Sequence, residues 1–294
     1  MHQLLTPLSL HLPNKAHLIS RRNFFELGAS ACLGTFLSTT SFAGTEGQSN
    51  FSTAKQTEKG NQRLSIDKLQ QWEKLGYGMF LHFSMNTYDG DEFSKGDKPA
   101  SFYNPTKLDV DQWISVARDA GMKYAVLTTK HVPGFCLWPS KHTDYHVGNS
   151  SNHTDVVEKF VKACEAKGVL PGFYYCSWDN HHLMGSLTPS ATRFSEAYTT
   201  AAYREFQWKQ LEELGSNYGK ILEWWIDIPG VLPRDYRNDL YRFLSDKQPD
   251  SWVIMNHGLG DGSNFNIDYA WPTDVITIER FLPNSTTKHE KWRD

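Results

Sequence analysis

The constraint that most limits the fold of this chain is the regular alternation, from Leu64 onward, of strand-like and helix-like segments joined by short punctuated links. Such an order implies a parallel sheet with helical crossovers, because parallel neighbours need a connection of a dozen or more residues. The first strand is read at Gly78 to Ser84. A helix follows from Val110 to Ala120, with Trp113, Val116, Ala117 and Ala120 on one face and Gly121 as its stop. The second strand is Tyr124 to Lys130. Thr154 is expected to cap a helix carrying Val157, Phe160, Val161 and Cys164 that ends at Gly168. A third strand, Val169 to Ser177, leads into a long helical stretch from Ser195 to Leu214. Strand four is Ile221 to Ile228, followed by a helix near Tyr236 to Ser245. Strand five is Trp252 to Asn256, and strand six Asp274 to Phe281. An open doubly wound sheet would be expected to carry a nucleotide-type glycine loop after its first strand, and none is present. The expected fold class is therefore α/β, a (β/α)8 TIM-like barrel with about six of its eight strands in this chain.

The strand ends repeat one theme. Strand one closes on His82, strand two on Lys130-His131, strand three on Tyr174 and Tyr175, strand four on Asp227 and strand five on Asn256-His257. In a barrel these positions converge on the carboxyl-end rim, where ligands bind. Within that rim Glu223-Trp224-Trp225-Ile226-Asp227-Ile228-Pro229-Gly230 delivers a carboxylate at the end of an apolar run, just before a Pro-Gly break. Asp227 is the leading candidate nucleophile. The alternative is that it caps the next helix or closes a turn.

Composition separates the classes further. The 294 residues are 39% hydrophobic and 21% charged with a formal charge of −3, so no basic stripe for nucleic acid is expected. Aromatic residues make up 14%, including ten Trp, and flat rings suit either a core or the walls of a sugar pocket. Residues 1–43 read as a twin-arginine export signal, with Ser20-Arg21-Arg22-Asn23-Phe24-Phe25 ahead of an apolar stretch ending Ser41-Phe42-Ala43. That stretch is too short and too rich in Gly, Ser and Thr for a spanning helix, so a periplasmic or secreted protein free of the membrane is expected after cleavage. Lipoprotein processing at Cys32 ranks second, since Ala29-Ser30-Ala31 lacks the expected leucine. Residues 44–62 form a polar linker and residues 63–294 the catalytic barrel. Cys136, Cys164 and Cys176 match no zinc or redox spacing, which leaves at least one free thiol.

Several segments together carry a resemblance. Phe80-Leu81-His82-Phe83, Phe102 through Asp109, Ala120-Gly121-Met122-Lys123-Tyr124, Thr129-Lys130-His131 with Gly134-Phe135-Cys136-Leu137-Trp138, and Trp225-Ile226-Asp227 resemble family 29 glycoside hydrolases, the α-L-fucosidases. The resemblance implies a retaining hydrolase with two carboxyl groups about 5 Å apart, one attacking and one assisting the leaving oxygen. Asp227 takes the nucleophile position. Glu279, in the frame Asp274-Val275-Ile276-Thr277-Ile278-Glu279-Arg280-Phe281-Leu282-Pro283, is the acid/base candidate, with isoleucine where the family pattern has an internal proline. Its apolar neighbours would desolvate it, as a general acid requires. A surface pair with Arg280 is the alternative. The same resemblance assigns sugar contacts to His82, His131, Tyr174 or Tyr175, and Trp225, with His257 standing where an arginine often follows strand five. It implies a fucosylated oligosaccharide or glycoconjugate glycan as partner and no cofactor or metal.

The departures are as specific as the matches. Val132 replaces the second histidine of the usual pair, Pro133 the aspartate that commonly follows, and no Glu-Trp-Tyr precedes Tyr103. Losing several donors from a polyol pocket costs discrimination, so a hydrolase for another sugar, or a fucoside-binding relative that has lost catalysis, are the alternatives. A metal-dependent hydrolase built on His82, His131 and His257 ranks below both, since no paired ligand spacing appears. The sequence stops at Asp294 after the sixth strand, so an incomplete barrel with exposed sheet edges and low stability is expected.

Overall fold

The computed structural model describes residues 62–184, 196–256, 271–277 and 279. Among the described residues five strands form one sheet: β1 (Met79–Leu81), β2 (Tyr124–Lys130), β3 (Leu170–Cys176), β4 (Glu223–Asp227) and β5 (Trp252–Asn256). All neighbours are parallel and their spatial order is their chain order. A sheet wound in one direction in this way is the wall of a barrel, with helices outside and a second face turned inward. The helices in chain order are α1 (Ile66–Glu73), α2 (Asn86–Asp89), α3 (Val110–Asp119), α4 (Val156–Lys167), α5 (Ala201–Asn217) and α6 (Arg234–Lys247). No helix among the described residues is long and apolar enough to cross a membrane.

Period-two alternation sorts the strand residues onto the two faces. Ala125, Leu127, Phe173, Tyr175, Trp224, Ile226, Val253 and Met255 pack outward into the main core with Ile114, Phe160, Leu211, Leu240 and Leu244 of the helices. Val126, Tyr174 and Cys176 on one side, and Trp252, Ile254 and Trp225 on the other, face inward. Burial on both faces explains why these strands read as continuous apolar runs.

Helix α1, which the periodicity did not reveal, closes the amino-terminal end of the sheet. Ser65 caps it, and Trp72 donates its Nε1–H to Glu223 Oε2 at 3.1 Å. Glu223 opens β4 with its side chain inside the barrel, and burial pushes its carboxyl up to about 7. Glycine at 172 makes room for it, because a Cβ there would sit 2.8 Å from the Glu223 Cγ. Above this floor lies a cavity of about 260 Å³, bordered by Phe80, Trp225, Ile254 and Thr277.

β2 and β5 have the bounds expected from the sequence, whereas the first strand shrinks to three residues. The face expected for α3 is displaced. Val110, Ile114 and Ala117 are its buried stripe, while Val116 is 46% exposed and Ala120 lies at the surface. The spacing i, i+4, i+7 wins because it places Ile114 against the outer wall of the sheet, with Trp113 left half-buried against Phe83 at 5.0 Å. The cap of α4 is Asp155 and not Thr154: Asp155 Oδ1 accepts from the Glu158 N–H at 2.9 Å and Oδ2 from the Tyr218 hydroxyl at 2.7 Å. Asp155→Ala removes both bonds and is expected to cost about 1–2 kcal/mol, read from denaturant midpoints at constant slope.

Of the expected sixth strand, Asp274 to Thr277 make no strand ladder, while residues 278, 280 and 281 lie outside the described residues. Along the edge of β5 the Asp274 N–H donates to the Val253 carbonyl at 2.9 Å, and side-chain oxygens meet the strand's own donors. Val253 N–H donates to Asp274 Oδ2 at 2.8 Å, and Met255 N–H to Thr273 Oγ1 at 3.1 Å. Asp274 is held in turn by Arg63 and by the Tyr241 hydroxyl at 2.5 Å. A carboxylate and a hydroxyl thus satisfy donors that a strand carbonyl would otherwise meet.

Candidate active site

The register of β3, β4 and β5 builds the rim. Cys176, Asp227 and Asn256 are direct partners across the three strands, so the last inward residue of each stands in one row. Immediately after Asp227 the chain turns sharply. Ile228 adopts φ 50° and ψ 47°, the one positive-φ residue other than glycine among those described. A β-branched residue in the left-handed region carries strain that persists only where the surroundings fix it. Here the Ile228 N–H donates to the Asn256 carbonyl at 2.8 Å, and Pro229 then starts a short 3-10 turn. The sequence signal was Pro229, which disfavours right-handed helical conformation at the residue before it.

Asp227 is almost fully buried, with a donor on each oxygen. Tyr174 hydroxyl donates to Oδ2 at 2.6 Å and Asn256 Nδ2 to Oδ1 at 2.7 Å. Burial pushes the carboxyl up to about 6. The two donors pull it down and the charge of Glu279 pushes it up again. Glu279 is brought to the same place, because the Asn256 amide nitrogen also lies 3.2 Å from its Oε2. Two bonds from one nitrogen keep their nearest oxygens within about 6 Å of each other, close enough for the pair a retaining mechanism needs. Glu279 itself is half-buried, so the desolvated member of the pair is Asp227, contrary to the expectation from the apolar sequence around Glu279. The Asn256 amide fixes Glu279 in a partly open position at the mouth.

A bulge in β2 decides which of two adjacent residues faces this pair. Thr128 pairs with Tyr174 and Lys130 with Tyr175, which leaves Thr129 as an extra residue whose hydroxyl donates to the Tyr174 carbonyl at 2.7 Å. The extra residue inverts the alternation. Lys130 is turned outward into the helix layer, while His131 is turned inward against His82 (ring centroids 4.6 Å) and Tyr174 (5.6 Å). His131 is buried, and burial with the nearby His82 holds its imidazole down at about 3, hence neutral. The Asn86 amide lies 3.4 Å from His131 Nδ1. With Nδ1 accepting, the ring presents its Nε2–H as a donor. His82 is likewise lowered by burial, against the upward pull of Glu92 and Glu279. Phe80 completes the wall, 5.3 Å from Trp225 and 5.7 Å from Tyr174.

The structure therefore brings His82, His131, Tyr174, Trp225, Asp227 and Glu279 together. It does not bring Tyr175, whose hydroxyl donates to Gln210 Oε1 of α5 at 2.7 Å on the outer face. Tyr175 belongs to the scaffold because odd positions of β3 point away from the interior. His257 lies outside the described residues. Asn256, Asn86 and Phe80 are site residues that motif reading missed. Asn256 was visible only as a strand-end position, and Phe80 through its alternation with His82. Among the described residues no three His, Cys, Asp or Glu side chains converge as a metal site needs, and Cys136, Cys164 and Cys176 are free and buried.

A one-way parallel β/α sheet whose carboxyl-end rim gathers two carboxylates, two imidazoles and an aromatic wall defines a barrel of the glycoside hydrolase type. A family profile described as alpha-L-fucosidase matches residues 86–294, and the chain belongs to that family. It is 38% identical over 193 residues to Alpha-L-fucosidase 1 of Arabidopsis thaliana, covering 64% of this chain and 34% of that one. It is 35% identical over 200 residues to an Alpha-L-fucosidase of Branchiostoma floridae, covering 66% and 41%. A crystal structure of a glycoside hydrolase 29 family member from a rumen bacterium superposes with a TM-score of 0.56 at 30% identity, covering 65% of this chain and 36% of that one. The chain spans about a third of the length of the plant relatives that head these matches.

Proposed function

We propose that this chain carries the catalytic centre of a retaining α-L-fucosidase. Asp227 attacks the anomeric carbon while Glu279 gives its proton to the departing glycosidic oxygen, so one C–O bond forms as the other breaks. In the second half Glu279 takes a proton from water, whose oxygen displaces Asp227 from the sugar. The observation that supports this reading is the single Asn256 amide bonded to both carboxylates, which keeps them near enough to act on one glycosidic bond. His131 Nε2–H and His82 are placed to bond sugar hydroxyls, and Phe80 and Trp225 to face the apolar methyl edge of the ring. The partner class is a fucosylated oligosaccharide or glycoconjugate glycan.

Turnover of nitrophenyl α-L-fucoside by the full chain, followed by NMR, is the test. The first product is expected to be the α anomer, and kcat/KM to fall on the acid side with a midpoint near pH 6, where Asp227 protonates. A β first product sinks the double displacement. One observation favours a second reading, a different sugar or linkage. Val132, where the family pattern has its second histidine, is buried against the cluster holding Tyr174 and Ile228, so an apolar side chain occupies a place of sugar recognition. Comparing fucosides with other deoxy- and hydroxymethyl-glycosides separates the two. The twin-arginine segment Ser20 to Phe25 supports export to the periplasm or beyond as part of the same proposal.

A further inference from the structure

We infer that Asn256, locked in orientation by Thr277, is a positioning residue that shares one amide donor between the two carboxylates and keeps it beside the negative charge as that charge passes from one to the other. This rests on the double-displacement reading for the passage of charge, although the arrangement itself is independent of it.

Three bonds define the side chain. Nδ2 donates to Asp227 Oδ1 at 2.7 Å and to Glu279 Oε2 at 3.2 Å, while Oδ1 accepts from the Thr277 hydroxyl at 2.6 Å. An amide has one donor end and one acceptor end, and only the donor end can face two carboxylates. The Thr277 hydroxyl, by donating a hydrogen bond to Oδ1, fixes which end points inward. The backbone is held as well, since the Asn256 carbonyl accepts from Ile228 N–H at 2.8 Å and the residue is 4% exposed. The groups that face the Asp227 carboxyl are Tyr174 and Cys176 from β3, Asn256 from β5, and Glu279, with His82 and His131 behind Tyr174.

During attack Asp227 loses its charge on becoming an ester, and Glu279 becomes an anion on giving up its proton. A donor reaching both needs no rearrangement between these states, and preorganised donors of this kind lower barriers because nothing must reorient. Among the described residues the Asn256 side chain bonds to the two carboxylates and to Thr277. It acts through the two carboxylates.

The test is a pH titration of the Asp227 side-chain carboxyl by carbon-13 NMR in the wild type, Thr277→Val, Thr277→Ser and Asn256→Leu. The midpoint is expected to rise by about half a unit to one unit in Thr277→Val and further in Asn256→Leu, because a donor to the charged form is loosened or lost. Thr277→Ser, which keeps the hydroxyl, is expected to restore the wild-type value. In steady-state kinetics Thr277→Val is expected to lower kcat about tenfold with little change in KM, and to shift the acid side of the profile with the NMR midpoint. An unmoved midpoint in both Thr277→Val and Asn256→Leu overturns the inference, with or without turnover. A moved midpoint in a wild-type background that never cleaves fucosides supports the shared donor and sinks the hydrolase reading instead.

Discussion

Asp227→Asn is expected to lower kcat for nitrophenyl α-L-fucoside by roughly 10⁴-fold or more, since an amide oxygen cannot form the glycosyl ester and the remaining groups cannot replace it. The same variant is expected to be at least as stable as the wild type at neutral pH. Burial places the Asp227 carboxyl near 6 in the folded chain, above its unfolded value, so the fold prefers the uncharged form. That preference contributes fully below about pH 4 and is lost as pH rises through 6, leaving the ionised wild type short of about 2–3 kcal/mol at pH 7. Asparagine at 227 escapes the loss and can still meet Tyr174 and the Asn256 amide. Thermal unfolding at pH 4 and pH 7 checks the sign. A variant that gains stability at pH 4 but not at pH 7 contradicts the buried-charge account.

The second large effect lies outside the carboxylate pair, in the ion pair that Lys130 forms once the β2 bulge has turned it outward. Its Nζ is 2.6 Å from Asp179 Oδ2 with both side chains fully buried, and it sits 4.3 Å from the centre of the Tyr175 ring and 5.4 Å from that of Phe206. Burial works against both charges. The attraction of Asp179 nevertheless keeps the lysine above its ordinary range, and His182 and Lys130 hold Asp179 well below the usual carboxylate range. Asp179 Oδ1 further accepts the N–H groups of His181 (3.0 Å) and His182 (2.9 Å), and Gly134, at φ 83°, lets the loop after β2 pass directly over this carboxylate. Asp179→Ala strands a buried ammonium and two amides, and is expected to destabilise by about 3–5 kcal/mol. For a chain of this size that is a fall of roughly 10 °C in unfolding midpoint. Adding Lys130→Met to Asp179→Leu should recover much of the loss, since it removes the unpaired charge. A single Asp179→Ala variant that melts like the wild type would falsify this account of the pair.

Much of the wall was legible because it depends on local chemistry. β2 and β5 are β-branched and apolar between clear stops, and Gly168 ends α4 in the left-handed conformation expected of it. The rim was legible for the same reason, since polar residues closing apolar strands stand out. What sequence could not show is which way neighbours point when both faces of a strand are buried. Tyr174 and Tyr175 are equally apolar-flanked, yet one reaches Asp227 and the other Gln210. Nor could periodicity show that Thr273 and Asp274 meet the donors of β5 with side-chain oxygens, because such contacts leave no repeating pattern. Glu279 was found by its motif frame, while its half-open setting came from a long-range bond to Asn256.

The bulge at Thr129 has a consequence for how this segment tolerates change in length. Deleting one residue between Val126 and Lys130 would send an imidazole into the greasy side of the wall and a primary amine into the mouth, undoing recognition and the outer brace in one event. Single-residue insertions and deletions there are therefore disfavoured by the side-chain alternation, which substitutions leave intact.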